Sequence, residues 1–108
     1  MNISQITDRY AVAPQILPDD VTAIAAQGFV AIICNRPDGE DPGQPTAAEI
    51  AAACDAAGLA FHHIPVSEVP IAIELIQEQR RLIVDSDGPV LAYCRSGTRS
   101  QVIWQASA

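Results

Sequence analysis

Short apolar runs alternate with helix-like segments along most of the chain. RYAVA (Arg9–Ala13) is read as a first strand. LPDDVTAIAAQG then predicts a helix, with Pro18 in its first turn, Asp19 and Asp20 at the positive end of its dipole and Gly28 as terminator. FVAIIC (Phe29–Cys34) is continuously apolar, as suits a strand covered on both faces. Thr46 is placed to cap a helix through AAEIAAACDAA, with Glu49 completing a capping box and Gly58 closing it. LAFHHIPV (Leu59–Val66) reads as the next strand. Pro70 opens a longer helix, PIAIELIQEQRRLIVDS, with Ile73, Ile76, Leu82 and Ile83 near one face, and Gly88 and Pro89 break it before the strand VLAY (Val90–Tyr93). One more helix is expected from Ser100.

This alternation predicts an α/β fold: a single domain over residues 1–108, with a mainly parallel sheet flanked by helices on both faces. At 108 residues the chain supports one sizeable core. Between the second strand and the capped helix lies NRPDGEDPGQP (Asn35–Pro45), whose prolines, glycines and charges mark it as loop. Reactive groups in parallel sheets collect at the carboxyl ends of the strands, where Asn35, Val66 and Cys94 fall.

Charge and cysteine usage narrow the function. A net charge of -7 opposes a duplex nucleic-acid or anionic-membrane partner, although a local positive site can still exist. Cys34, Cys54 and Cys94 are widely spaced and odd in number, with no C-x-x-C and no metal-ligand spacing. Free thiols in a reducing compartment are therefore expected, with no zinc site and no cofactor. MNISQITDRY lacks the basic and apolar regions of a signal peptide, so the expectation is a soluble cytoplasmic protein.

The densest chemistry is VLAYCRSGTRS, where a strand runs into cysteine, glycine, hydroxyls and two arginines. At a strand-to-helix junction, the amides of Arg95 to Arg99 would turn inward around the sulfur next to a helix N-terminus, making an anion cradle. A thiol placed there loses its proton readily and becomes a nucleophile. Gly97 allows a tight curve or positive φ, Arg99 offers a fork of donors, and the Ser100 hydroxyl can reach back to the sulfur. Arg95, Ser96, Gly97, Thr98, Arg99 and Ser100 are the predicted anion-binding loop.

YCRSGTRS resembles the active loop of rhodanese-type sulfurtransferases, whose cysteine carries sulfane sulfur as a persulfide. AIICNRPDGEDPGQP, FHHIPVSEV and GPVLAYCRSGTRS, in that order, resemble the phosphatase-like domain of the beta-lactamase hydrolase-like proteins, and the likeness extends from Ile6 to Trp104. The resemblance implies a dual-specificity-phosphatase-like fold and either sulfur transfer or phosphatase chemistry. The family's later helical segment has no counterpart before Ala108. In some relatives the domain is fused to a metallo-hydrolase-like domain, so a fused or separate partner of that kind is expected.

Loop length favours sulfur transfer. Phosphatase loops resembling H-C-x-x-G-x-x-R place arginine one position further from cysteine than Arg99 lies from Cys94, and Tyr93 stands where their histidine would be. The preferred expectation is a sulfurtransferase that takes sulfur from a small anionic donor onto Cys94 and passes it to a thiol acceptor. The alternative is a phosphatase acting on a phosphate ester through a Cys94 phosphoenzyme, with Arg99 as clamp. Its general acid is Glu68, from the resemblance of IPVSE to I-P-x-x-D, with Asp38 or Asp41 as substitutes. A non-catalytic sulfide or anion sensor, or a docking domain, is the third class. Arg36 is a candidate for added positive charge and Cys34 for a resolving disulfide with Cys94, against simple core packing. His62 and His63 point to opposite faces of a strand, where a core or surface role is expected over a place beside the pocket.

Overall fold

Alternation along three fully buried strands decides the layering of the protein. In a computed structural model, which describes residues 1–67 and 70–107, the chain forms β1 (Ser4–Thr7), β2 (Tyr10–Ala13), a 3-10 turn (Pro18–Asp20), α1 (Val21–Ala26), β3 (Ala31–Cys34), α2 (Ala47–Ala57), β4 (Ala60–His63), α3 (Ile73–Asp85), β5 (Val90–Tyr93) and α4 (Thr98–Ala106). The sheet order is β1-β2-β5-β3-β4, so β5 is central. Ala11, Ala13, Ile32, Cys34, Leu91 and Tyr93 face one layer of core with Val21 and Ile24 of α1 and Ile50 and Cys54 of α2. Tyr10, Val12, Ala31, Ile33, Val90 and Ala92 face the other, with Ile83 of α3 and Trp104 of α4. Period-two geometry sends neighbouring residues to opposite faces, and both faces are covered as a parallel sheet requires.

β2, β5, β3 and β4 pair in parallel. The sheet is mainly parallel, as expected, with one antiparallel edge where β1 pairs with β2. SQIT carries a single apolar residue, Ile6, on an edge strand, and its turn carries no glycine. Neither Asp8 nor Arg9 adopts positive φ, and the hairpin absorbs the mismatch as a register shift between Gln5 and Thr7. Other boundaries are shorter than expected. Beyond β4, Ile64 and Val66 still donate to Cys34 and Asn35 carbonyls, with Pro65 tolerated because this strand lies at the edge.

Thr46 and Glu49 form the expected capping box, and Gly58 ends α2 at φ 78°. α3 departs from its expected face. Its buried residues are Gln79 and Ile83, while Ile73 is 62% exposed. Gln79 turns inward because it has polar work there: its Nε2 donates to the Tyr10 hydroxyl at 3.0 Å and to Asn35 Oδ1 at 3.2 Å, and its Oε1 accepts from Asn35 Nδ2 at 2.6 Å. The Tyr10 hydroxyl donates to the Ser100 carbonyl at 2.8 Å, and Ser100 Oγ donates to Asn35 Oδ1 at 2.9 Å. One buried network thus joins β2, β3, α3 and α4, and it fixes the start of α4.

Gln79→Ala removes the acceptor of one Asn35 Nδ2 N–H and the donor to the Tyr10 hydroxyl, both buried. The expected loss is about 1–3 kcal/mol of unfolding free energy, read as a lower urea midpoint, whereas Gln77→Ala on the exposed side of the same helix should leave the midpoint nearly unchanged.

Candidate active site

Cys94 immediately follows the central strand and is completely buried. Its backbone N–H donates to the Ala13 carbonyl, and the Arg95 carbonyl accepts from Gln15, so the end of β2 braces the loop. Gly97, the N-cap of α4, sits at φ 92°. That left-handed conformation turns the backbone so that the Gly97 N–H donates to Cys94 Sγ at 3.0 Å. α4 begins at Thr98, two residues earlier than expected.

Burial pushes the Cys94 thiol up, but the N–H groups of Ser100, Ser96, Arg99 and Gly97 outweigh it and bring the pKa below the ordinary 9.0. The cradle therefore comprises the amides of 96, 97, 99 and 100. The expected role of the Ser100 hydroxyl is corrected: it is bonded to Asn35, and the backbone N–H of Ser100 serves the sulfur. By contrast, burial raises the thiols of Cys34 and Cys54, the latter to about 11. Among the three, Cys94 alone is held toward its thiolate.

Arg99 lies close enough to Cys94 for its guanidinium to interact with the sulfur, and both of its terminal nitrogens also have protein partners. Nη1 donates to Glu40 Oε2 and to the Val66 carbonyl, both at 2.8 Å, and Nη2 donates to Glu40 Oε1 at 2.8 Å. Arg36 is nearly buried and donates to Glu40 at 2.9 Å, Asp41 at 2.6 Å and Gln15 at 3.0 Å. Arg99 chiefly, with Arg36 assisting, holds the Glu40 carboxyl down to about 2. Sequence reasoning missed Glu40, since nothing local separates it from Asp38 and Asp41 in the same acidic loop.

The other candidates divide. Asp38 is exposed and its carboxylate accepts from the Ala47 N–H at 2.8 Å, which makes it a cap for α2. Asp41 binds Arg36 and also Arg95 at 3.3 Å; Arg95 is largely exposed and its side chain lies at the rim. Ser96 and Thr98 hydroxyls bond to each other at 3.1 Å. Cys34 packs in the core under α1 and α2, donates to the Arg36 carbonyl, and pairs across the ladder with Tyr93. The Tyr93 hydroxyl is buried beside Cys34, with no conventional hydrogen-bond partner among the described residues. All three cysteines are free in this structure, and Cys34 is buried in the core. His63 Nε2 lies 3.1 Å from the Arg36 carbonyl, whereas His62 borders a separate hollow beside α3. Glu68 falls outside the described residues.

A buried, amide-cradled cysteine at the end of a central parallel strand, with an arginine beside it, marks a phosphatase-like cysteine domain. Residues 2–108 match the beta-lactamase hydrolase-like protein, phosphatase-like domain. The chain belongs to that family. It is 38% identical over 104 residues to the beta-lactamase hydrolase-like protein of Agrobacterium fabrum, covering 96% of this chain and 24% of that protein. It is 38% identical over 107 residues to the protein of the same name from Xylella fastidiosa, covering 99% of this chain and 25% of that one. The chain thus spans about a quarter of these curated relatives.

Among solved structures, a protein from Neisseria meningitidis described as a candidate phosphatase superposes with a TM-score of 0.88 at 40% identity, over 96% of this chain and 74% of that one. The core catalytic domain of the PP-IP phosphatase Siw14 from S. cerevisiae shares the fold, with a TM-score of 0.75 at 16% identity over 95% and 62% of the two chains. Among the described residues no helix is long and apolar enough to cross a membrane, and no group of His, Cys, Asp and Glu is arranged to hold a metal.

The thiolate ultraviolet absorbance of wild type minus that of Cys94→Ser, followed against pH, isolates this sulfur. Its midpoint should lie below 9.0, the ordinary thiol value. A midpoint at or above that value would mean that the amides do not overcome burial.

Proposed function

We propose that this domain is a cysteine-dependent phosphomonoesterase. The observation that carries the reading is the convergence of four amides on a buried sulfur whose pKa they lower, with the Arg99 guanidinium alongside. Family membership and the Neisseria relative support it. The Cys94 thiolate attacks phosphorus, the bond to the leaving oxygen breaks, and that oxygen takes a proton from a carboxylic acid. Glu68 is the proposed acid; Asp38, committed to capping α2, and Glu40, ionised between two arginines, are poorly suited to the task. Water then attacks the cysteinyl phosphate, releasing inorganic phosphate and restoring the thiolate. The amides of 96, 97, 99 and 100 and the Arg99 fork stabilise the phosphoryl oxygens in both steps.

Rhodanese-like sulfur transfer, the expectation from loop length, retains the support of its sequence signals: Arg99 lies five positions after Cys94 rather than six, and Tyr93 stands where phosphatase loops carry histidine. Neither the family match nor the related folds add to it.

With an aryl phosphate, wild type should release phosphate, Cys94→Ser should fall to background, and Arg99→Lys should lose about 10²–10³ in kcat because the forked donor is gone. Intact mass after thiosulfate treatment should show no reducible gain of one sulfur. Such a gain, dependent on Cys94 and without phosphate release, would replace this reading with sulfur transfer.

A further inference from the structure

An oxyanion seated over Cys94 draws on the donors of Arg99, and in this structure a carboxylate of the protein already holds one N–H on each of its terminal nitrogens. Glu40 presents both oxygens to the two terminal nitrogens of Arg99, each at 2.8 Å. This is the fork geometry with which guanidinium grips a carboxylate or a phosphoryl group. The contact joins residues 59 positions apart, tying the loop after β3 to the loop after β5.

Glu40 also has somewhere to go. Arg36 Nε holds Oε1 at 2.9 Å, and Arg36 is itself fixed by Asp41 and Gln15. Leaving Arg99 therefore does not leave Glu40 without a cation. Arg99 keeps the Val66 carbonyl as a second anchor, so its guanidinium stays near the sulfur when the carboxylate withdraws.

We propose that Glu40 is an internal anion that competes with the substrate's oxyanion for Arg99, and that it thereby sets the affinity of the site. The inference rests on the proposed function only in requiring an oxyanion beside Arg99. Because its carboxyl is held near 2, Glu40 stays ionised throughout the working pH range and mild acid does not lift the competition. A brace that merely positions Arg99 would act with the opposite sign, since removing it would weaken anion binding.

The test is calorimetric binding of inorganic phosphate to Cys94→Ser and to the same protein with Glu40→Gln, which removes the charge and keeps the shape. Phosphate should bind about tenfold tighter to the Gln variant, equivalent to about 1.4 kcal/mol. Unchanged or weaker binding in a variant that still unfolds cooperatively overturns the proposal, as does the absence of phosphate binding by both proteins. Should the Gln variant not fold, Glu40→Asp keeps the charge beside Arg36 but shortens its reach to Arg99, and it must tighten binding in the same direction. Binding without turnover separates the two ideas. Tighter phosphate binding with no phosphatase activity in the Cys94 protein would retain the competitor and remove the esterase, whereas activity with unaltered affinity would do the reverse.

Discussion

Easing the ionisation of a buried sulfur is the demand around which this domain is arranged. Cys94 is fully buried, and burial alone would favour the neutral thiol. The opposing contribution comes from backbone amides, which need no ionised partner and stay aimed because α4 holds them. α4 in turn is pinned by the Tyr10 hydroxyl on the Ser100 carbonyl and by Asn35 on the Ser100 hydroxyl, with Gln79 tying those two together. The reactive loop thus inherits its rigidity from a polar network on the α3 and α4 side of the sheet.

Charge is distributed with the same economy. A strongly acidic chain would repel an anionic substrate if its carboxylates lay free around the site. Instead Arg36, Arg95 and Arg99 are placed there, and Glu40 and Asp41 are bonded directly to them. Arg36 is nearly buried, so its partners satisfy a cation that could not otherwise sit there. The loop between β3 and α2 is consequently a charged insert folded back on the site.

Local signals in the chain were legible where local physics decides. Thr46, Glu49 and Gly58 bracket α2, and the passage from VLAY to CRSG marks the strand-to-helix junction with Cys94 on it. What was not legible depends on distant partners. Gln79 looks like a surface residue of α3 until Asn35 and Tyr10 are brought beside it, and Ile73 looks like core until it is left outside. Glu40 is one acid among several in a loop, and only tertiary contact pairs it with Arg99. β1 escaped notice because an edge strand needs only one apolar face and its turn lacks the usual glycine.

The single tryptophan stands at a telling position. Trp104 stacks on Tyr10 with ring centroids 5.0 Å apart, while Arg80 of α3 lies 4.2 Å from its ring on α4. Tyr10 is also the residue whose hydroxyl holds the first turn of α4. The indole therefore sits as a native optical probe at the junction of β2, α3 and α4, and its emission registers any loosening of the helix that aims the amides at Cys94.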